Sequence, residues 1–150
     1  MDKNTKEKIK FEISRIDNLL ETSKPFLEIY YHRDLNFTEK SATALTLHSF
    51  YNGIESIFVI ILKSFGDYIP NEGRWHKTIF EKMFGDNSFN KQIISSELKI
   101  RLKKCLDFRH YIRHSYSSEI DWDLMETVAI NLEETWKILK EDFEKFIEDN

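Results

Sequence analysis

The sequence predicts an all-α fold, an antiparallel bundle of about five helices, with residues 1–150 forming a single domain. Three observations lead there. Only four glycines and two prolines occur in 150 residues, too few breakers for the many turns of an all-β fold. Apolar residues recur at helical spacing through most of the chain, and no segment carries an alternating strand pattern. Hydrophobic residues make up 41% of the sequence, enough at this length to bury a core.

The first helix is expected over Thr5–Thr22, where Ile9, Ile13, Ile16, Leu19 and Leu20 share a face. Ser23-Lys24-Pro25 interrupts that pattern, and the helix either restarts at Pro25 or runs through it with a kink. His32–Asn36 reads as a loop with His32 at the surface. The second helix is expected to open with Thr38 as N-cap and to reach Phe65. It is apolar on more than one side, from Leu45 through Ile54 to Leu62, which makes it the centre of the bundle or half of a subunit contact. Gly53 inside it costs about 1 kcal/mol relative to alanine, so another backbone is expected close by.

Gly66–Gly73 is turn-rich, a short helix follows over Trp75–Met83, and Phe84–Asn90 is a second loop. Trp75 reads as a core or interface anchor, and His76 as a cap or surface residue. Ser95 or Ser96 is expected to cap the next helix, with Leu98, Leu102, Cys105, Leu106, Phe108 and Ile112 inward. A last helix, Asp121–Ile147, carries Leu124, Val128, Leu132, Trp136, Leu139, Phe143 and Phe146 at helical spacing.

Composition also bounds location and partners. The single cysteine, Cys105, cannot form an intrachain disulfide and suits a reducing compartment. The first eight residues are charged and lack the apolar stretch of a secretion signal. The most apolar run, Ile57–Leu62, is far short of the roughly 20 residues that span a bilayer. A soluble cytoplasmic protein without a membrane partner is expected. The net charge of −4 argues against an overall positive surface for nucleic acid. Locally the sign reverses: Lys99, Arg101, Lys103, Lys104, Arg109 and Arg113 face only Asp107, while acids dominate after Glu119. Most of these charges read as solvated helix faces that pair with one another.

Chemistry concentrates in Asp107–Tyr116, which reads Asp-Phe-Arg-His-Tyr-Ile-Arg-His-Ser-Tyr. On a helix, His110, Arg113, His114 and Tyr116 fall about 100°, 40°, 140° and −20° from Arg109, so one arc holds all five. Phe108, Tyr111 and Ile112 turn the other way. Arginine offers a planar fork that matches phosphate, and histidine transfers protons near neutrality. Upstream, His48, Asn52 and Glu55 line one edge of the second helix at i, i+4 and i+7. Two readings stand for that strip: a polar row that satisfies itself, or groups that orient His114 or Arg109.

Arg109, four residues, His114, one residue, Tyr116 resembles the Arg-x4-His-x-Tyr signature of HepT-like toxins in the HEPN superfamily of ribonucleases. Leu47–Glu55, the Trp75-His76 pair and Phe108-Arg109-His110 continuing to Ile120-Asp121-Trp122 resemble one HepT-like subfamily in order and separation. The resemblance implies a HEPN-like bundle and a metal-independent endoribonuclease that needs no cofactor. It implies a homodimer whose two motifs share one RNA-cleaving cleft. By resemblance His114 transfers protons, Arg109 stabilises the phosphate, and His110 and Arg113 place the RNA backbone. The resemblance also implies an antitoxin partner, a minimal nucleotidyltransferase that adenylylates Tyr116.

Three alternatives stand beside that reading. His110 and His114 have the i, i+4 spacing of two metal ligands, but the flanking arginines repel a divalent cation. A non-catalytic nucleotide- or RNA-binding module would use the same cations. A purely structural role would pair Arg109 and Arg113 with Asp107 or with the acidic last helix.

Overall fold

The computed structural model describes residues 1–150 as an all-α bundle of six helices joined by loops and 3-10 turns. These are α1 (Lys3–Leu27), α2 (Phe37–Ser64), α3 (Trp75–Met83), α4 (Lys99–Arg113), α5 (Trp122–Ala129) and α6 (Leu132–Asp149). The core is one continuous cluster of 32 buried residues. α2 is its axis, packing against α1, α3, α4 and α5. Phe50, Tyr51, Ile54, Ile57, Phe58, Ile61 and Leu62 of α2 are all fully buried, which explains an apolar surface wider than one stripe. That apolarity gives α2 the length and composition of a membrane span, yet the bundle occupies it: 56% of its most apolar stretch is buried.

Several boundaries differ from expectation, each for a local reason. α1 runs through Pro25, which sits in its last turn, so the one ladder bond that its missing N–H forfeits is lost only two residues before the helix ends. Asn36, not Thr38, caps α2. Its side chain accepts from Glu39 N at 2.9 Å while Glu39 Oε1 accepts from Asn36 N at 3.0 Å, a reciprocal box that Thr38 cannot form without an acid three residues on. Arg33 locks the box, donating to both Glu39 oxygens at 2.7 and 2.6 Å. Neither Ser95 nor Ser96 caps α4. Ser95 donates to Asp142 of α6 through its N–H and hydroxyl at 2.8 and 2.7 Å, and a 3-10 turn at Ser96–Leu98 leads into α4.

The expected last helix is two helices, broken at Ile130-Asn131. Its apolar phase runs across the break, so periodicity alone joins the pieces. Leu124, placed on the inner face by spacing, is 48% exposed at the start of α5. Gly53 is close-packed against a side chain and not a backbone: a Cβ there would meet Ile16 Cγ1 at 2.8 Å. The glycine therefore serves the α1–α2 contact within this chain. On the other side of the bundle Asp17 of α1 accepts from Trp136 Nε1 and Lys140 Nζ of α6, both at 2.7 Å.

Candidate active site

α4 ends in the cation-rich segment, and its final turn decides which side chains gather. The helix stops at Arg113, and His114 is its C-terminal cap with φ −110° and ψ 5°. The His110 and His114 rings remain neighbours, their centroids 4.7 Å apart. Ser115 folds back, its hydroxyl donating to Tyr111 O at 2.8 Å. Tyr116 then leaves the helix in extended conformation, φ −78° and ψ 148°. The expected position for Tyr116, about 20° from Arg109 on one wheel, therefore does not hold. Tyr116 opens a 3-10 turn at Ser117–Glu119 and is 77% exposed.

Tyr111 does what a core-facing phenol was not expected to do. Its hydroxyl donates to Glu119 O at 3.1 Å and accepts from Asp121 N at 3.0 Å, pinning the turn that carries Tyr116 against α4. Phe108 is buried as expected, and Ile112 is half-buried.

Arg109 is half-buried and donates from Nε to Asn52 Oδ1 of α2 at 3.2 Å. This contact orients the guanidinium and leaves its two terminal nitrogens without a protein partner. Arg113, His110 and His114 stand exposed on the same end of α4. No carboxylate pairs with either arginine. Asp107 is taken by Lys103, while Arg101 pairs with Glu134 at 3.2 Å and Lys99 with Glu81 at 3.3 Å. The basic run upstream of the motif is thus largely a paired helix face, and Lys104 and the two motif arginines are the cations of α4 left without an acid. Pairing of Arg109 and Arg113 with Asp107 or the last helix is not what the geometry provides.

The His48–Asn52–Glu55 strip separates into three fates. Asn52 holds Arg109. Glu55, only 4% exposed, meets His76 Nδ1 of α3 at 2.7 Å, giving a buried carboxylate the partner it requires. His76 is therefore neither a cap nor a free surface residue. That role was within reach of sequence reasoning, because an acid flanked by Ile54 and Ile57 on a buried helix demands a donor. His48 is half-buried, and its Nδ1 is closed off without any partner. Burial first, then the positive charges of Arg109 and Arg113, hold its imidazole below the ordinary histidine range, against the opposing pull of Glu55. The Tyr51 hydroxyl beneath them is likewise buried and unpartnered, and burial with the nearby Glu55 charge keeps it protonated.

A cleft of ≈ 540 Å³ between α1 and α2 reaches Asn52 from the other side, with Arg15, Asn18, Thr22, Ser49 and Ser56 along it. Such a polar lining does not suit an apolar ligand. No group of three or more histidine, cysteine, aspartate or glutamate side chains converges as a metal site.

The model of the HepT-like protein family matches residues 42–150, from the sixth residue of α2 through α6, with the whole of this site. The chain belongs to the HepT-like family. Neither curated proteins nor solved structures give a match. In this HepT-like protein α1 and the first five residues of α2 lie outside the matched region, and the all-helical bundle agrees with a HEPN-like fold. Asn52, Glu55, His76, Arg109, His110, Arg113 and His114 all lie inside the match.

Proposed function

We propose that this HepT-like protein is a metal-independent endoribonuclease, the toxin of a HEPN/nucleotidyltransferase toxin–antitoxin pair acting in the cytoplasm. One observation carries the reading: Arg109 is anchored through Nε on Asn52 and, with Arg113, His110 and His114 beside it, lacks any acidic partner. Cations kept free of carboxylates at the end of a helix suit a phosphate, and in-line cleavage requires such cations together with proton donors and acceptors. His114 transfers protons, Arg109 stabilises the charge on phosphorus, and His110 and Arg113 place the backbone. No cofactor takes part.

One copy presents only one such arc, and a second copy across a two-fold axis completes the cleft. Tyr116, 77% exposed beside the arc, is the hydroxyl that a minimal nucleotidyltransferase antitoxin adenylylates. The added AMP brings negative charge and bulk to Arg109 and Arg113, and it competes with RNA for both.

Incubating the purified protein with RNA in EDTA tests the activity. Cleavage should persist and leave 2′,3′-cyclic phosphate or 3′-phosphate ends. If RNA binds tightly but no substrate is ever cut, the chain is instead a non-catalytic nucleotide- or RNA-binding module; loss of cutting in chelator would point to a metal. Regulation is tested by co-expression with a candidate nucleotidyltransferase and intact-mass measurement. Adenylate-sized additions should appear on the wild type and vanish in Tyr116→Phe. Equal neutralisation of both forms would mean that the partner acts by binding alone.

A further inference from the structure

Strand cleavage by side chains alone needs two proton-handling groups in opposite states at one pH: a neutral acceptor for the 2′-hydroxyl and a charged donor for the leaving oxygen. Two imidazoles in the same surroundings supply this poorly. The imidazoles on α4, His110 and His114, are both exposed on the same helix end. His48 is in different surroundings. It lies on α2 one turn before Asn52, the residue that holds Arg109, and it is half-buried. Its Nδ1 is sealed from solvent and has no partner, whereas Nε2 is not sealed, so proton exchange must run through Nε2.

We propose that His48 is the general base of this site, accepting the 2′-hydroxyl proton at Nε2 while protonated His114 serves as the acid. The role rests on the ribonuclease reading above and deepens it. The step balances within the site. The 2′-oxygen attacks phosphorus as its proton passes to His48; the bond from phosphorus to the 5′-oxygen breaks, and that oxygen takes the proton of His114. The products are a 2′,3′-cyclic phosphate and a 5′-hydroxyl. Each histidine ends in the state in which the other began, ready for hydrolysis of the cyclic product in the reverse sense.

The charges around His48 favour its neutral form. On α4 it has Arg109 and Arg113, and burial acts in the same direction. On its own helix Glu55 opposes them, but that carboxylate is shared with His76 of α3. Across the cleft beside Ser49, Glu12 and Arg15 of α1 are paired with each other at 3.1 Å. No group of the protein bonds the His48 ring, so Nε2 has no partner to give up before it meets RNA.

Two measurements test the role. Imidazole ¹⁵N NMR of the wild type should show His48 titrating below the reference value of about 6.5, with Nε2 unprotonated in the neutral ring. Arg109→Ala should raise that midpoint. The second is the pH profile of RNA cleavage. The acid limb of the wild type should follow the His48 midpoint; His48→Gln should remove that limb and lower kcat about 10²–10⁴-fold, with RNA binding unchanged within about twofold. A midpoint at or above the reference, or an acid limb intact in His48→Gln, overturns the role while leaving the ribonuclease reading standing. A wild type that never cuts RNA overturns both.

Discussion

At the residue scale the site is built from contacts between helices far apart in sequence. Arg109 supplies a fork whose Nε is committed to Asn52, which leaves the two terminal nitrogens for the proposed phosphate contact. Arg109→Ala should lower kcat by about 10²–10³, the usual cost of one transition-state donor, and Arg109→Lys should not restore it, because lysine has no second nitrogen for Asn52. Asn52→Ala removes an orienting bond only, worth about 1 kcal/mol, and a roughly fivefold to tenfold loss in kcat with little change in stability is expected. Fluorescent-RNA kinetics on the three variants check this; a fully active Arg109→Lys would contradict the anchoring argument. Cys105 offers a contrast, its thiol pushed up to about 12 by burial. It should resist alkylation at pH 8 until the protein unfolds. The composition of the arc was legible in the sequence, because arginine and histidine at helical spacing need no partner to be recognised. The partners were not: nothing in the local pattern says that Asn52 takes Arg109, that Glu55 takes His76, or that Tyr111 pins the Tyr116 turn.

At the element scale, helix ends and one close approach set the positions of these side chains. The Asn36–Glu39 box with Arg33 holds the Glu39 carboxyl down to about 2, the Arg33 guanidinium being the main cause. Its folded value is depressed, so its stabilisation is present above the unfolded carboxyl range near 4.3 and is lost as pH falls toward 2. Glu39→Gln should therefore weaken the pH dependence of stability between about 4.3 and 2, measured by urea titration at several pH values. Gly53→Ala gains about 1 kcal/mol of helix propensity but places a Cβ 2.8 Å from Ile16 Cγ1. The overlap should win, leaving a net loss of about 1–3 kcal/mol, and Ile16→Ala in the same chain should make the added methyl neutral or favourable. Additive losses in the double variant would show that the contact is not the reason for the glycine. The break between α5 and α6 was hidden because its apolar phase continues across it. A cue was present in Asn131 followed by Glu133 and Glu134, an asparagine at a helix start with acids in the first turn.

At the scale of the whole molecule, light scattering should give twice the 18.1 kDa chain mass if two copies share the cleft. A strict monomer at micromolar concentration that still cuts RNA would contradict that assembly. With a net charge of −4 and most lysines of α4 paired, RNA affinity should come from few phosphate contacts, so binding should weaken with salt on a shallow slope. What the sequence determined by itself is the fold class, the broad apolar surface of α2, the clustering of arginine and histidine toward the end of α4 and the family, because periodicity, breaker content and local spacing act over a few turns. What only the tertiary structure decided is which groups meet. The sequence separation between Asn52 and Arg109 is 57 residues and that between Glu55 and His76 is 21, and side chains so far apart are paired by helix packing, which no local pattern records. The same packing closed off one nitrogen of His48 and left Arg109 and Arg113 without acids, while the lysines and arginine before them, Lys104 apart, are paired.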